Sequence, residues 1–520
     1  MKKTFLILVI VVFSLVGCIT NSGDNQSIAV TILDGNQTIP VNATFGATVD
    51  QVLKGQQITI GALDRVSPSL NTFLQDGDVI TITRVSEEFS IVESVLPFEQ
   101  QTIKNESLPE GQSVLIQSGV NGRLQTTYRI VIENGKEVSR ILFKEEVVQE
   151  PKPEIIMIGV QSPFTAVPID GVIAYLSSGN AWIMETNTGN RKIVVSSGDL
   201  DGRIFTLSFD RKWLLFSRSN SNDDNEIINS LWLVDLTKED SKLVDTGIRN
   251  VVHYADWVPG KGRTFSYSSV EPRATAPGWQ ANNDLHLFTF DDEGKKVDDK
   301  VLVDANSGGI YGWWGTIFQW SQDGSQLAYA RPDSIGTVDT KKGTLVNLIN
   351  FEPYQPKTDW AWVPGISWSA DHLVLYTVLN ENEFGSSTMD SYSLSAILMD
   401  TKRILPIIPK CGLFCYSTLS FSDEKGNYQV AYLSAILPDQ SETSRYNLYI
   451  MDRDGSNRKK IYPGEGQQGL DPQSVYWSPA LSDTIRVAFI AQGNLMLAEP
   501  STGMIRPITG DGSISKINWR

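Results

Sequence analysis

Tyr311, Trp313 and Trp314 fall within four residues of one another beside several glycines, Trp360 and Trp362 follow, and Phe414 lies between Cys411 and Cys415. Trp279 sits beside Pro277 and Gly278 in a long stretch, 270–283, that reads as loop. Rings beside glycine and proline are costly to leave in water unless they pack or bind something. Their flat faces suit stacking on a sugar ring or an extended peptide, with Asp359 and Asn282 as polar partners. The competing reading is that the rings plug an interior channel or pack loop on loop. Little else in the chain has the spacing of a reaction centre. Gly-x-Ser-x-Gly, His-Glu-x-x-His and Walker-type patterns are missing. His253, His286 and His372 fall in or beside strand-like segments and read as structural. The acidic runs 222–226 and 291–293 lack full calcium-loop spacing and read as solvated turns. Cys411 and Cys415 suit a small disulfide loop worth about 2 kcal/mol in an oxidising compartment. A metal site there would need further soft ligands, and none accompanies them. The reading assigns no catalytic residue, metal or cofactor, and an enzyme is the less favoured class.

The loops belong to a repeat. Seven times an apolar stretch ends in an aromatic, at Phe209, Trp257, Trp320, Trp368, Phe421, Trp477 and Trp519, at spacings of 42 to 63 residues. A polar turn and further β-rich runs follow most copies, as four-stranded propeller blades require. In the fourth blade Thr316–Trp320 is the inner strand, Ser321-Gln-Asp-Gly324 the turn and Leu327–Ala330 the second strand. Residues 171–195 hold three strands with no inner strand before them, and Ile514–Trp519 is an inner strand with nothing after it. Joining them completes a seventh blade and removes open edges. The aromatic-Ser-x-Asp-Gly and Leu-Tyr-x-x-Asp-x-x-Gly grammar resembles TolB-type and other WD-repeat-like propellers over residues 161–520. Sialidase propellers use a different turn, with its glycine one residue later than Gly324.

The N-terminus reads as an export signal: Lys2 and Lys3, then an apolar run from Phe5 to Val16, too short for the roughly 20 residues that span a bilayer. Leu15-Val16-Gly17-Cys18 resembles the lipobox of bacterial lipoproteins. That resemblance implies removal of residues 1–17, acylation of Cys18 and a membrane held through that lipid, with residues 18–27 as tether. The remaining chain has 42 basic against 60 acidic side chains, which disfavours nucleic acid as a partner and suits an extracytoplasmic surface.

Residues 28–84 read as a β-grasp module. Ile28–Leu33 and Thr38–Asn42 form a hairpin, Thr48 with Gln51 caps a short helix, and Val79–Thr83 is a strand. Asp64-x-Val66-x-Pro68-x-Leu70 and the run to Gly77 resemble the ubiquitin-like domains of resuscitation-promoting factors and related cell-wall proteins. Across 85–160, Leu108-Pro-Glu-Gly111, Gly119-x-x-Gly122, Gly135–Arg140 and Pro151-x-Pro153 resemble the G-five surface domain, which implies a thin twisted sheet with little core. Some members of that family bind amino sugars or assemble through zinc. Here no histidine precedes His253, so a stalk is the expectation.

The chain as a whole reads as mainly β: a β-grasp module, a G-five stalk and a seven-bladed propeller closed by its last strand. The expected function is a lipid-anchored surface protein whose loop-bearing face engages cell-wall glycan or a partner protein. A scaffold binding only protein is the alternative, and a propeller hydrolase or lyase without a recognised motif is the third.

Overall fold

The computed structural model describes residues 27–105, 108, 113–160, 164–220, 226–239, 241–356, 358–381, 391–479 and 484–520. The expected signal segment, Cys18, nearly all of the tether and most of the acidic run 222–226 lie outside them. Among the described residues the chain is almost entirely β, with one α-helix, Val49–Gly55. None of their helices is long and apolar enough to cross a membrane. The chain forms two compact units, residues 1–100 with 118–154, and residues 101–117 with 155–520.

In the first unit the alternation of Ile28, Val30 and Ile32 turns one face of Ser27–Asp34 inward, onto Val49, Val52 and Leu53 of the helix and onto Ile80 and Ile82. That strand pairs antiparallel with Gln37–Thr44 and parallel with Val79–Thr83, whose far edge carries Arg65–Ser67. The helix starts at the expected capping box. Thr48 Oγ1 accepts from Gln51 N at 3.4 Å, and Gln51 Oε1 accepts from Thr48 N at 3.0 Å. Arg84 follows the last strand and joins the module to what comes next. Its guanidinium donates to both carboxylate oxygens of Asp34 at 2.6 Å and to Asp64 at 2.7 Å, while Val85 N donates to the other Asp64 oxygen at 2.8 Å. The long strands Val85–Leu96, Gly122–Glu133 and Lys136–Gln149 then make a three-stranded antiparallel sheet. It buries little: Phe89, Ile91, Val95, Ile141 and Phe143 are each more than half exposed.

The stretch 85–160 does not stay in one unit. Its remaining strands, Gln100–Asn105, Ser113–Gln117 and Glu154–Gly159, form a separate small sheet. Ile103, Ile155 and Met157 of that sheet pack on Ile169, Tyr175 and Trp182, so all but its terminal residues belong to the second unit.

Seven four-stranded antiparallel sheets make up the rest. The first consists of Pro168–Ser177, Asn180–Asn187, Arg191–Val195 and the distant strand Ile514–Trp519, with Ile173 opposite Trp519 and Tyr175 opposite Ile517. The first strands of the second to seventh sheets are Leu200–Leu207, Ala255–Trp257, Ile317–Trp320, Ile366–Trp368, Ser417–Leu419 and Tyr476–Trp477.

The repeated tryptophan links neighbouring sheets. Trp257 Nε1 donates to Thr206 O, Trp368 Nε1 to Gln319 O and Trp477 Nε1 to Thr418 O, each at 3.0 Å, and Trp320 Nε1 donates to Ser266 Oγ at 3.0 Å. Every one of these acceptors lies in the preceding sheet. The serine that follows folds the turn. Ser208, Ser321, Ser369, Ser420 and Ser478 each accept, through Oγ, the N–H that opens the second strand, at 2.9 to 3.0 Å. Ser208, Ser321 and Ser369 also donate to the aspartate two residues on, at 2.6 Å.

In two sheets the expected register is off by two residues. The position equivalent to the tryptophans is Leu207 in the second sheet and Leu419 in the sixth. Phe209 and Phe421 lie beyond it, 41% and 44% exposed. The leucine side chain has no N–H to offer, and other groups make the link. Leu207 N donates to Asn518 Oδ1 at 3.2 Å, and the hydroxyls of Ser367 and Ser417 meet at 2.8 Å. Trp519, in the first sheet, donates within its own sheet, to Asp170 O at 2.8 Å.

Trp368 is 3% exposed. Its replacement by Phe removes the N–H and strands the Gln319 carbonyl, at a cost of about 1–2 kcal/mol, whereas Trp368→Ala adds a cavity and costs about 3–5 kcal/mol. Urea unfolding followed by tryptophan fluorescence is expected to rank the midpoints wild type, Phe, Ala; equal midpoints for wild type and Phe would show the link to be idle.

Candidate functional site

The loops that lead into the first strands, together with the hairpin inserted between the second and third strands of the third sheet, carry the aromatic side chains. That hairpin, Val270–Pro272 with Trp279–Ala281, is tied to the loop before the fourth sheet, because Ala281 N donates to Trp313 O at 2.9 Å. Trp279 and Trp314 lie with centroids 5.2 Å apart, and Trp313 meets Trp314 edge-on at 5.7 Å. The Arg203 guanidinium sits 5.2 Å from the centre of the Trp279 ring. Trp279 thus has both Arg203 and Trp314 as neighbours, and its buried Nε1 is unpaired among the described residues. All three tryptophans and Tyr311 are half-buried.

Asn283 holds this loop, a residue that sequence reasoning passed over. It is 1% exposed with φ +53. Its Nδ2 donates to Gly312 O at 2.8 Å, its Oδ1 accepts from Thr316 Oγ1 at 2.7 Å, and its carbonyl accepts from Asn306 Nδ2 at 2.8 Å. Arg331 completes the frame, donating to Thr316 Oγ1 at 3.0 Å and to Asn306 Oδ1 at 2.6 Å. The glycines here are forced. A Cβ on Gly312 would stand 2.0 Å from Ser307 O, and one on Gly315 would stand 2.6 Å from the His253 ring. The signal in the sequence was Asn282-Asn283-Asp284 opening a strand, since asparagine tolerates the left-handed region.

Behind Gly315 runs a polar chain through the third sheet. His253 Nε2 meets Ser268 Oγ at 3.1 Å, and Ser268 Oγ donates to Asp284 Oδ1 at 3.0 Å. Asp284 also accepts from Ser269 N at 2.7 Å and meets His286 Nε2 at 3.2 Å, while His286 Nδ1 faces Asp299 at 3.5 Å. Burial pushes the His253 pKa down to about 4, which keeps it neutral. The hydrogen bond to Asp284 raises the His286 pKa against the opposing effect of burial, helped by the charges of Asp284 and Asp299. Burial alone would raise Asp284, but its bonds to His286 and Ser269 hold it below the usual carboxylate range. Asn282, expected as a free polar partner, is tied to Ser269 Oγ at 2.8 Å. His372 stands 3.4 Å from Asp323 in the preceding sheet's turn. The three histidines thus lie in or beside strands and turns, and the Nδ1 of each is buried without a hydrogen-bond partner among the described residues.

A second aromatic group lies between the fifth and sixth sheets. Trp360 has Tyr354 at 6.0 Å and Phe414 at 6.1 Å, and Phe414 continues to Tyr416 at 5.9 Å and Tyr446 at 6.2 Å. The Cα atoms of Cys411 and Cys415 stand 5.6 Å apart, within the span of a disulfide. Trp362 does not belong with the surface rings. It is 2% exposed, donates to Leu413 O at 3.0 Å and meets Tyr392 edge-on. Two residues along an extended chain point the same way, but the chain around Trp362 turns it into the core. Asp359 is exposed beside Trp360. The rings predicted as one platform therefore fall into two groups, with Trp362 in neither.

Residues 87–161 match the G5 domain, and residues 30–71 match the G5-linked ubiquitin-like domain. YabE of Bacillus subtilis, named for cell wall shaping, is 31% identical over 167 residues, which is 32% of this chain and 37% of that protein. Resuscitation-promoting factor Rpf2 of Corynebacterium glutamicum is 26% identical over 161 residues, 31% of this chain and 42% of that protein. The chain thus spans less than half the length of each relative. Among solved structures, TolB from Acinetobacter baumannii is 14% identical, covering 74% of this chain and 98% of its own, with a TM-score of 0.35. The two domain matches fall on the segments whose sequence resembles those families.

Two outcomes test this geometry. Asn283→Ala strands the Gly312 carbonyl and takes the acceptor from the Thr316 hydroxyl proton, at a cost of about 2–3 kcal/mol. Acrylamide quenching of tryptophan fluorescence is expected to rise in that variant with the far-ultraviolet spectrum unchanged. The second concerns pH. A raised His286 pKa adds stability that is complete below the unfolded value of 6.5 and is lost as pH rises through the folded value. Thermal midpoints from pH 5 to 9 should therefore fall less in His286→Gln than in wild type; parallel curves would remove the assignment.

Proposed function

We propose that the protein works at the bacterial cell surface, held to a membrane through lipid on Cys18, with its G5 segment as stalk. The seven four-stranded sheets are read as the blades of one propeller, closed by Ile514–Trp519. Three contacts support this: the first strands of the sixth and seventh sheets adjoin, and Ile514–Trp519 lies beside the first strands of both the seventh and the second. The G5 and ubiquitin-like matches at the N-terminal end, together with relatives named for cell wall shaping and for resuscitation promotion, support the location.

The loop-bearing face engages cell-wall glycan. The observation that carries this is the Asn283 frame, which holds half-buried rings in place before any ligand arrives and so lowers the entropy lost on binding. Trp313, Trp360 and Tyr311 are the rings proposed to meet the sugar, Trp314 and Phe414 support them, and Trp279 contacts Arg203 and Trp314. A disulfide between Cys411 and Cys415 would fix the Phe414 loop. A second reading, that this face binds only protein, draws on the Trp279 arrangement, because a ring already engaged by Arg203 and Trp314 is less free to stack on a sugar.

Binding of the full chain to purified peptidoglycan sacculi tests the proposal. Saturable binding is expected, falling at least tenfold in a Trp313→Ala, Trp360→Ala variant of unchanged thermal midpoint. No binding by the wild type would sink the glycan reading and favour protein partners.

A further inference from the structure

At the opposite end of the sheets, where first strands end and second strands begin, a groove of about 1030 Å³ runs between the sixth and seventh sheets. Its lining joins two kinds of group. Phe421 and Ile485 are 44% and 47% exposed. Asp423, Asp452, Asp454 and Glu499 face the same space, with Arg453 the one basic residue among the described lining. Glu499 has Arg486 at 3.9 Å. The other three carboxylates are held by uncharged donors: Asn427 on Asp423, Asn457 on Asp452 and Ser456 on Asp454.

The second sheet shows what such a combination takes. Phe209 occupies there the place that Phe421 occupies in the sixth, two residues beyond the leucine that ends the first strand. The Arg520 guanidinium lies 3.7 Å from the centre of the Phe209 ring, and its Nη2 donates to Asp256 Oδ1 at 2.9 Å. One aromatic face and one carboxylate together hold a guanidinium. At Phe421 the ring and the carboxylates are present, and no guanidinium of the described residues covers the ring.

We propose that this groove is a docking site for an extended, arginine-bearing segment of a partner protein, with a guanidinium on Phe421 and the chain's positive charge matched by Asp423, Asp452 and Asp454. The site is separate from the aromatic loops and independent of what they bind. Charge complementarity selects the partner, and the apolar walls make the contact more than screened attraction to an acidic protein.

The test uses the full chain and a fluorescein-labelled Gly-Arg-Gly-Arg-Gly peptide, with fluorescence anisotropy at about 0.15 M salt, where exposed charges are screened beyond about 8 Å. Saturable binding is expected, weaker by at least fivefold for a Gly-Lys-Gly-Lys-Gly peptide. Phe421→Ala and, separately, Asp423→Asn with Asp454→Asn should each weaken it at least fivefold, while Trp313→Ala leaves it unchanged. The substituted side chains are exposed, and an unchanged thermal midpoint confirms folding. Non-saturable binding, equal binding of the two peptides, or full affinity in both groove variants would overturn the proposal.

Discussion

Among the described residues, neighbouring four-stranded sheets in the second unit share no backbone ladder, so directional bonds from one sheet to the next draw on side chains. A tryptophan at the end of the first strand meets that need in four sheets. Its ring fills the space between two sheets, and its single N–H reaches an acceptor in the sheet before. A buried N–H without a partner is costly, so the ring is stable in one orientation only, and that orientation sets how the sheets lie against each other. Where leucine replaces tryptophan, a polar link appears elsewhere in the same junction, through Asn518 or through the Ser367–Ser417 pair. The serine after the tryptophan and the aspartate two beyond it serve the turn, so three residues of the repeat carry separate tasks.

The first unit is built on a different balance. The β-grasp module has a conventional core, but the long sheet that follows leaves large apolar side chains in water on a surface where nothing covers them among the described residues. Length and ladder pairing hold it in place of burial: three strands of 12 to 14 residues pair along nearly their whole extent. Arg84 ties that sheet to the module through Asp34 and Asp64. Asp64 accepts one bond from Arg84 and another from Val85 N, so the connection between the two elements is polar and directional where a hydrophobic joint would allow sliding.

The aromatic loops show how little a list of residue types says about a site. Glycine-flanked tryptophans could be picked out by eye, and their loops do lead into the first strands. Whether a ring faces water depends on its neighbours, and those come from other sheets. Trp362 differs from Trp360 by two residues and ends in the core because Leu413, from the next loop, offers its carbonyl there. Trp279 is covered by Arg203, far away in sequence. Asn283 matters through three partners brought together by folding, none adjacent to it in the chain.

What the sequence determined by itself is periodic or local. The alternation of Ile28, Val30 and Ile32, the Thr48–Gln51 capping box and the Trp-Ser-x-Asp turns follow from short-range rules of side-chain direction and backbone bonding, and the pairing of the two chain segments that hold Ile173 and Trp519 follows from the incomplete ends of the repeat. The two-residue error at Phe209 and Phe421 marks the limit of that reading, since an aromatic can follow a strand as easily as end it. Tertiary structure alone decided which rings meet, which of them turn into the core, and how the segment 85–160 divides between two units. Those outcomes depend on contacts between residues of different loops and sheets, and no local pattern records which surfaces folding will bring together.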